Sequence, residues 1–178
     1  MEIVLAKLED LNGIKEVYTK IIENMYANDI KIWNEYYPNE VFESDIKNNN
    51  MFLLKDNNEI IGAFVLYEHI NVENDIMWED RNAKAYLLNR VGVNVKYLHQ
   101  GNGHKIIATA CEIAKSKGAK YLRLLVSNKN RPAINLYEKC DLKRKNGIHV
   151  EKIRDDYSIY EYGFELLLIQ SDTMIKIN

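Results

Sequence analysis

Apolar and polar positions along this chain follow two rhythms, one of about two residues and one of three to four, and their order predicts the fold. Ile3-Val4-Leu5-Ala6 is a short apolar run that reads as a strand. Leu11, Ile14, Val17, Tyr18, Ile21, Ile22 and Met25 recur every three or four positions and lay one apolar stripe along a long helix. Glu9 and Asp10 put negative charge at its N-terminus, where the helix dipole favours it. Residues 30–50 break the rhythm at Trp33, Tyr36, Tyr37 and Pro38 before a helical pattern resumes from Glu40 to Ile46, so this stretch reads as a broken or a second helix on the surface. Met51-Phe52-Leu53-Leu54 and residues 60–66 flank the polar turn Asp56-Asn57-Asn58, a hairpin signature. A polar loop over 71–82 leads to a strand over 85–95, which ends just before Gln100-Gly101-Asn102-Gly103-His104. Ile106, Ile107, Ala110, Ile113 and Ala114 stripe a helix that Gly118 ends. Tyr121-Leu122-Arg123-Leu124-Leu125-Val126 is a further strand, Pro132 opens a short helix carrying Ala133, Leu136 and Tyr137, and residues 148–153 and 157–169 supply closing strands.

Strands grouped in the middle predict antiparallel pairing, whereas the strand, helix, strand unit from Val91 to Val126 predicts a parallel crossover. The expected architecture is one α/β domain over residues 1–178, built on a mixed, mostly antiparallel twisted central sheet with helices on both faces. Its 178 residues suffice for a buried core, and 47% hydrophobic with 28% charged residues is a globular composition. A net charge of -2 gives no global basic field, so neither nucleic acid nor a membrane surface is expected as a partner. Cys111, Cys140 and the four histidines show no metal-ligand spacing, so no metal is expected. No apolar run approaches the roughly 20 residues that span a bilayer, and the first residues carry no signal pattern; a cytoplasmic address is the expectation.

A strand that ends in a glycine loop and feeds a helix offers unpaired backbone N–H groups and the positive end of the helix dipole. Such a site suits a phosphate or pyrophosphate, and Gly101 and Gly103 let the backbone approach it, although Gly-x-Gly alone also marks an ordinary tight turn. A dinucleotide fingerprint would need glycine at position 106, where Ile stands.

Downstream, Asn130-Arg131-Pro132-Ala133-Ile134-Asn135-Leu136-Tyr137 resembles the second signature of the GNAT acetyltransferases, Asn-x-x-Ala-x-x-Leu/Phe-Tyr-x-x-x-Gly-Phe, with Asp141 and Leu142 in place of Gly-Phe. The loop is similar to the first signature, Gln/Arg-x-x-Gly-x-Gly/Ala, with Leu98 where Gln or Arg is usual. Trp33 and Tyr36-Tyr37-Pro38 resemble the Trp-x-x-x-Tyr-Pro substrate-side segment of some members.

The resemblance implies the acyl-CoA N-acyltransferase (GNAT) fold. It also implies transfer of an acetyl group from acetyl-CoA to a primary amine of a small molecule or peptide, by direct attack through a tetrahedral intermediate. Backbone groups of Val91 and Val93 would then bond the pantetheine arm and present an N–H to the thioester oxygen. Backbone N–H groups of His99, Gln100, Gly101, Asn102, Gly103 and His104 would take the pyrophosphate, and Asn130, helped by Asn135, the thiol end of the arm. Tyr137 would protonate the departing thiolate; a phenol near pKa 10 is protonated at neutral pH, as an acid must be. Trp33, Tyr36, Tyr37 and Glu68 are the acceptor-side candidates, an aromatic wall and an acidic anchor for an amine cation. Glu68, His69, Glu79 and Asp80 are candidate bases, with none assigned. Asn130 reads equally as a helix N-cap, and His99 and His104 as surface histidines. The alternative is a non-catalytic acyl-CoA-binding or sensor module of the same fold, which Leu98 leaves open. A homodimer is compatible with the resemblance, and no residue pattern fixes that state.

Overall fold

Alternation along the central strands sends neighbouring side chains to opposite sides of a sheet, and each side has its own helices. The strands are β1 (Glu2–Leu5), β2 (Met51–Asp56), β3 (Glu59–Glu68), β4 (Ala85–Val93), β5 (Tyr121–Ser127), β6 (Lys143–Arg144), β7 (His149–Arg154) and β8 (Tyr157–Leu167). They join in one sheet in the order β1-β2-β3-β4-β5-β8-β6, with β7 paired to β8, and among the described residues only β4 and β5 run parallel. The structure is a computed structural model that describes residues 1–69, 75–154 and 157–168. The start of the expected loop over 71–82 and the end of the expected strand at 169 lie outside these residues.

On one face, Ile61, Phe64 and Leu66 of β3 pack against α3 (Asn102–Ser116) and α4 (Arg131–Lys139) through Ile106, Ile107, Ala110, Ile134 and Tyr137. On the other, Met51, Leu53, Ala63 and Val65 meet α1 (Leu11–Ala27) and α2 (Phe42–Lys47) through Ile14, Val17, Tyr18, Ile21 and Phe42. The expected mixed, mostly antiparallel sheet with helices on both faces is therefore the observed one.

Three local differences have physical causes. Residues 30–50 are helical only over Phe42–Lys47, because Trp33 and Tyr37 instead pack as irregular chain beside α1. Strand β4 stops at Val93, where Asn94 caps a short turn: its Oδ1 accepts from the Lys96 N–H at 3.2 Å and its Nδ2 donates to the Ile60 carbonyl at 2.9 Å. The stretch expected as a polar loop buries Ile76 and Trp78, which pack over Gly163 of β8. Helix α3 ends as expected, with Gly118 in the left-handed region at φ +77°.

Candidate functional site

Strands β4 and β5 pair only at Ala85–Tyr121, Tyr86–Leu122 and Leu87–Arg123, and beyond that rung they share no ladder. A bulge bends β4 at this point: Val65 pairs with Asn89 and Ala63 with Gly92, so Arg90 and Val91 both stand opposite Phe64. The Asn94 N–H goes to Ile61 of β3 at 2.9 Å. Counting back in twos, Val93 and Val91 turn their N–H and C=O groups to the other edge, into the gap. The gap is a cleft of about 470 Å³. Leu88, Arg90 and Val91 line it from β4, Leu125, Val126 and Ser127 from β5, and Asn130, Ala133 and Tyr137 from α4.

Helix α4 is placed by its own chemistry. Asn130 caps it, accepting from the Ala133 N–H at 3.3 Å, and Pro132 sits in the first turn, where a missing N–H costs nothing. Asn130, Ala133 and Tyr137 follow at spacings of three and four, so they share the cleft-facing side. Asn135 lies two positions from Ala133, on the opposite side, exposed and outside the cleft; it does not join Asn130 as the sequence reading expected.

Tyr137 is buried, its ring 6.2 Å from Phe164. Burial pushes its hydroxyl far above the usual phenol range, and burial does the same to Tyr18. Stability from such groups is intact below the unfolded phenol value near 10 and erodes above it, because the unfolded chain then loses protons that the fold retains. Denaturation midpoints should therefore hold level up to about pH 9 and decline beyond about pH 10; a midpoint that climbs through that window contradicts the assignment.

The loop before α3 divides its labour. Gly101 takes φ +77° with open space beside it, whereas a Cβ on Gly103 would stand 2.8 Å from Leu136 Cδ2, so the second glycine serves the contact between α3 and α4. Asn102 turns its side chain inward, donating to the Tyr97 carbonyl at 3.0 Å. His99, Gln100 and His104 are exposed. The first helical bond is from the Lys105 N–H to the Gly101 carbonyl at 3.2 Å, so the N–H groups of Asn102, Gly103 and His104 precede any acceptor within the helix. Substituting Gly101→Ala should cost about 1 kcal/mol of stability through left-handed strain alone, measurable by denaturant titration.

On the acceptor side, Trp33 and Tyr37 line the cleft, but Tyr36 is 68% exposed and outside it. Glu68 is also outside: it pairs with Tyr86 at the end of β3, where β4 and β5 are still joined, with Lys84 Nζ 3.9 Å away. His69, Glu79 and Asp80 lie at that same closed end, His69 against Trp78 and Arg123, Glu79 on Lys145, and Asp80 on Lys120.

Sequence reasoning missed four acceptor-side residues. Arg90 places Nη2 2.8 Å from Asp45 Oδ1 and donates from Nη1 to the Tyr37 hydroxyl at 3.3 Å. Burial raises the Asp45 carboxyl against the opposing pull of Arg90. Glu151 of β7 stands opposite Ile159 of β8, two residues from Glu161, so both carboxylates share the hairpin face that borders the cleft. A charge inside Leu88-Asn89-Arg90-Val91 was the only available signal for Arg90.

Among the described residues, no group of three or more His, Cys, Asp or Glu side chains could hold a metal ion, and no helix is long and apolar enough to cross a membrane. The open N–H row at α3 and the splayed edge of β4 fit a pyrophosphate-bearing, strand-like cosubstrate such as acetyl-CoA.

No curated protein matches the chain. Among solved structures, the fold is similar to an N-acetyltransferase from Staphylococcus aureus Mu50 at 22% identity and TM-score 0.66, covering 94% of this chain and 98% of that one. It is similar to a ribosomal-protein-alanine N-acetyltransferase from Brucella melitensis at 18% identity and TM-score 0.69, covering 94% and 100%. A Salmonella typhimurium protein with its cofactor acetyl-CoA aligns at 14% identity and TM-score 0.68, covering 96% and 95%. At these identities the structures speak for fold; the sequence itself matches the Acetyltransferase (GNAT) family over residues 14–142, well over half the chain, which includes the loop and Tyr137. The chain belongs to the GNAT acetyltransferase family.

Proposed function

We propose that this protein is an acetyl-CoA-dependent N-acetyltransferase that modifies a primary amine of a small molecule or peptide in the cytoplasm. The observation that carries the reading is convergence: the free edge of Val91, the buried Tyr137 and the acceptor wall of Trp33, Tyr37, Glu151 and Glu161 border one cleft. Bound acetyl-CoA supplies the acetyl group as an activated thioester. The N–H groups of the α3 N-terminus hold the pyrophosphate, and the Val91 edge offers a fixed donor where negative charge develops on the thioester oxygen. Tyr137 keeps a proton at its hydroxyl for the departing sulfur. The acceptor amine, with a pKa near 10, is about a thousandfold protonated at pH 7, so it arrives as a cation and gives up one proton to solvent before its lone pair attacks the thioester carbon. Glu151 and Glu161 attract that cation, and the ring faces of Trp33 and Tyr37 suit it. Both cysteines are free thiols, which agrees with a reducing compartment.

Incubation with acetyl-CoA and a panel of amines, followed by release of free thiol, tests this reading. Acceptor-dependent release is the expected result; tight acetyl-CoA binding with no release on any amine would make the protein a non-catalytic binding module. Once an acceptor is found, the double change Glu151→Gln with Glu161→Gln should raise its KM about tenfold and leave kcat nearly unchanged, as loss of charge attraction at a cleft wall does.

A further inference from the structure

Arg90 is a non-glycine residue in the left-handed region, at φ +48° on the β4 bulge, a conformation that persists only where its surroundings hold it. Both of its backbone polar groups are satisfied by side chains instead of a strand. Its N–H donates to Asn89 Oδ1 at 2.7 Å, and its carbonyl accepts from the Tyr18 hydroxyl at 2.5 Å. Tyr18 is fully buried on α1 and packs edge-on to Phe42 and tilted against Trp33 at ring separations of 4.6 and 5.7 Å. It reaches the strand because Gly92 has no side chain; a Cβ there would come within 2.9 Å of the Tyr18 oxygen. The Arg90 guanidinium meanwhile holds Asp45 of α2 and Tyr37 of the acceptor wall. The next residue in the chain is Val91, whose N–H faces the cleft.

We propose that Tyr18 and the Asp45–Arg90 ion pair are positioning residues: they fix the bulge that aims the Val91 N–H, and they tie the acceptor wall to the same backbone. This rests on the acetyltransferase reading above. None of the three need touch the thioester. They act by holding one peptide unit in a geometry that the strand ladder does not supply. The residue before the donor N–H is clamped from both helices of that face, Tyr18 on its carbonyl and Asp45 on its guanidinium. A loosened clamp lets Arg90 relax toward ordinary strand geometry, which rotates the following N–H away from the cleft.

The test uses Tyr18→Phe, which removes one hydroxyl and keeps the ring, and Asp45→Asn, which removes the charge. Acetyl-CoA labelled with carbon-13 at the acetyl carbonyl reports hydrogen bonding through its infrared stretch. On the native protein the bound carbonyl band should lie below its position in an apolar solvent. Each variant should shift the band back upward and lower kcat about tenfold, with the Kd for acetyl-CoA changed less than about twofold. Ile14→Val, a core change one turn before Tyr18 that keeps the Tyr18 hydroxyl and the Asp45–Arg90 pair, controls for general loosening and should leave band and kcat alone. If both variants keep the native band and native kcat, or if the control moves them equally, the positioning role is wrong. If the native protein fails to bind acetyl-CoA at all, the acetyltransferase reading itself fails.

Discussion

Replacing Tyr137 with Phe is expected to lower turnover at least about a hundredfold, the range that removal of a positioned general acid produces, while acetyl-CoA affinity stays within about twofold. The ring that packs near Phe164 is retained, and only the hydroxyl is lost. Stability should thus change little, and a large fall in kcat cannot then be blamed on unfolding. The pH profile separates this role from others. Because burial holds the Tyr137 hydroxyl above the usual phenol range, its ionisation contributes no alkaline fall in kcat below about pH 10. The acidic limb should instead follow deprotonation of the acceptor amine and persist in the variant. Steady-state kinetics from pH 6 to 10 on both proteins, with free thiol as the signal, check each point. Equal kcat in the two proteins, with chemistry rate-limiting, would remove Tyr137 from the reaction.

The parts of this site that the sequence displays are those with a local rule behind them. Helix α1 follows from a three-to-four spacing of apolar residues, the end of α3 from a glycine in the left-handed region, and the cap of α4 from Asn130 two residues before Pro132. The cleft obeys no such rule. It arises where β4 and β5 stop pairing after Leu87 and Arg123, and a missing ladder leaves no mark on residue types. The bulge that accompanies it is equally silent, since Arg90 occupies a conformation that sequence patterns reserve for glycine or asparagine. Chain position alone also misplaced the acidic candidates. Glu68, Glu79 and Asp80 look like neighbours of the cleft along the chain but lie at its closed end, whereas Glu151 and Glu161 reach it only through the β7–β8 pairing. Asn135 fell into the motif by spacing, and helix geometry turns it away.

The largest stability loss is expected from Arg123→Met. Arg123 is on the last rung before β4 and β5 part, is fully buried, and pairs across the sheet with Glu165 of β8, its Nε 2.8 Å from Oε1. Its Nη2 donates to the Asp80 carbonyl at 2.7 Å, and its guanidinium lies 5.0 Å from the Trp78 ring centre. Leu122 and Leu124 point into the core beneath α3, so Arg123 faces the other side, which the 76–80 segment covers instead of a helix. Removing the cation leaves Glu165 charged and buried, with Lys145 Nζ 3.7 Å away as partial compensation. Breaking one side of such a pair costs about 3–5 kcal/mol, which at this chain length is a fall of about 10 °C in Tm. Adding Glu165→Leu to Arg123→Met should recover at least about half of the loss, because two apolar side chains of similar volume do not carry the stranded charge. Thermal denaturation of the three proteins measures both numbers. A loss below about 1 kcal/mol for the single variant would mean that apolar packing of Ile76 and Trp78 alone holds the segment. The acetyl-CoA Kd of any variant that stays folded should be unchanged, since the donor groups lie beyond the rung where the strands separate; a weakened Kd would show instead that the base of the fork sets the width of the cleft.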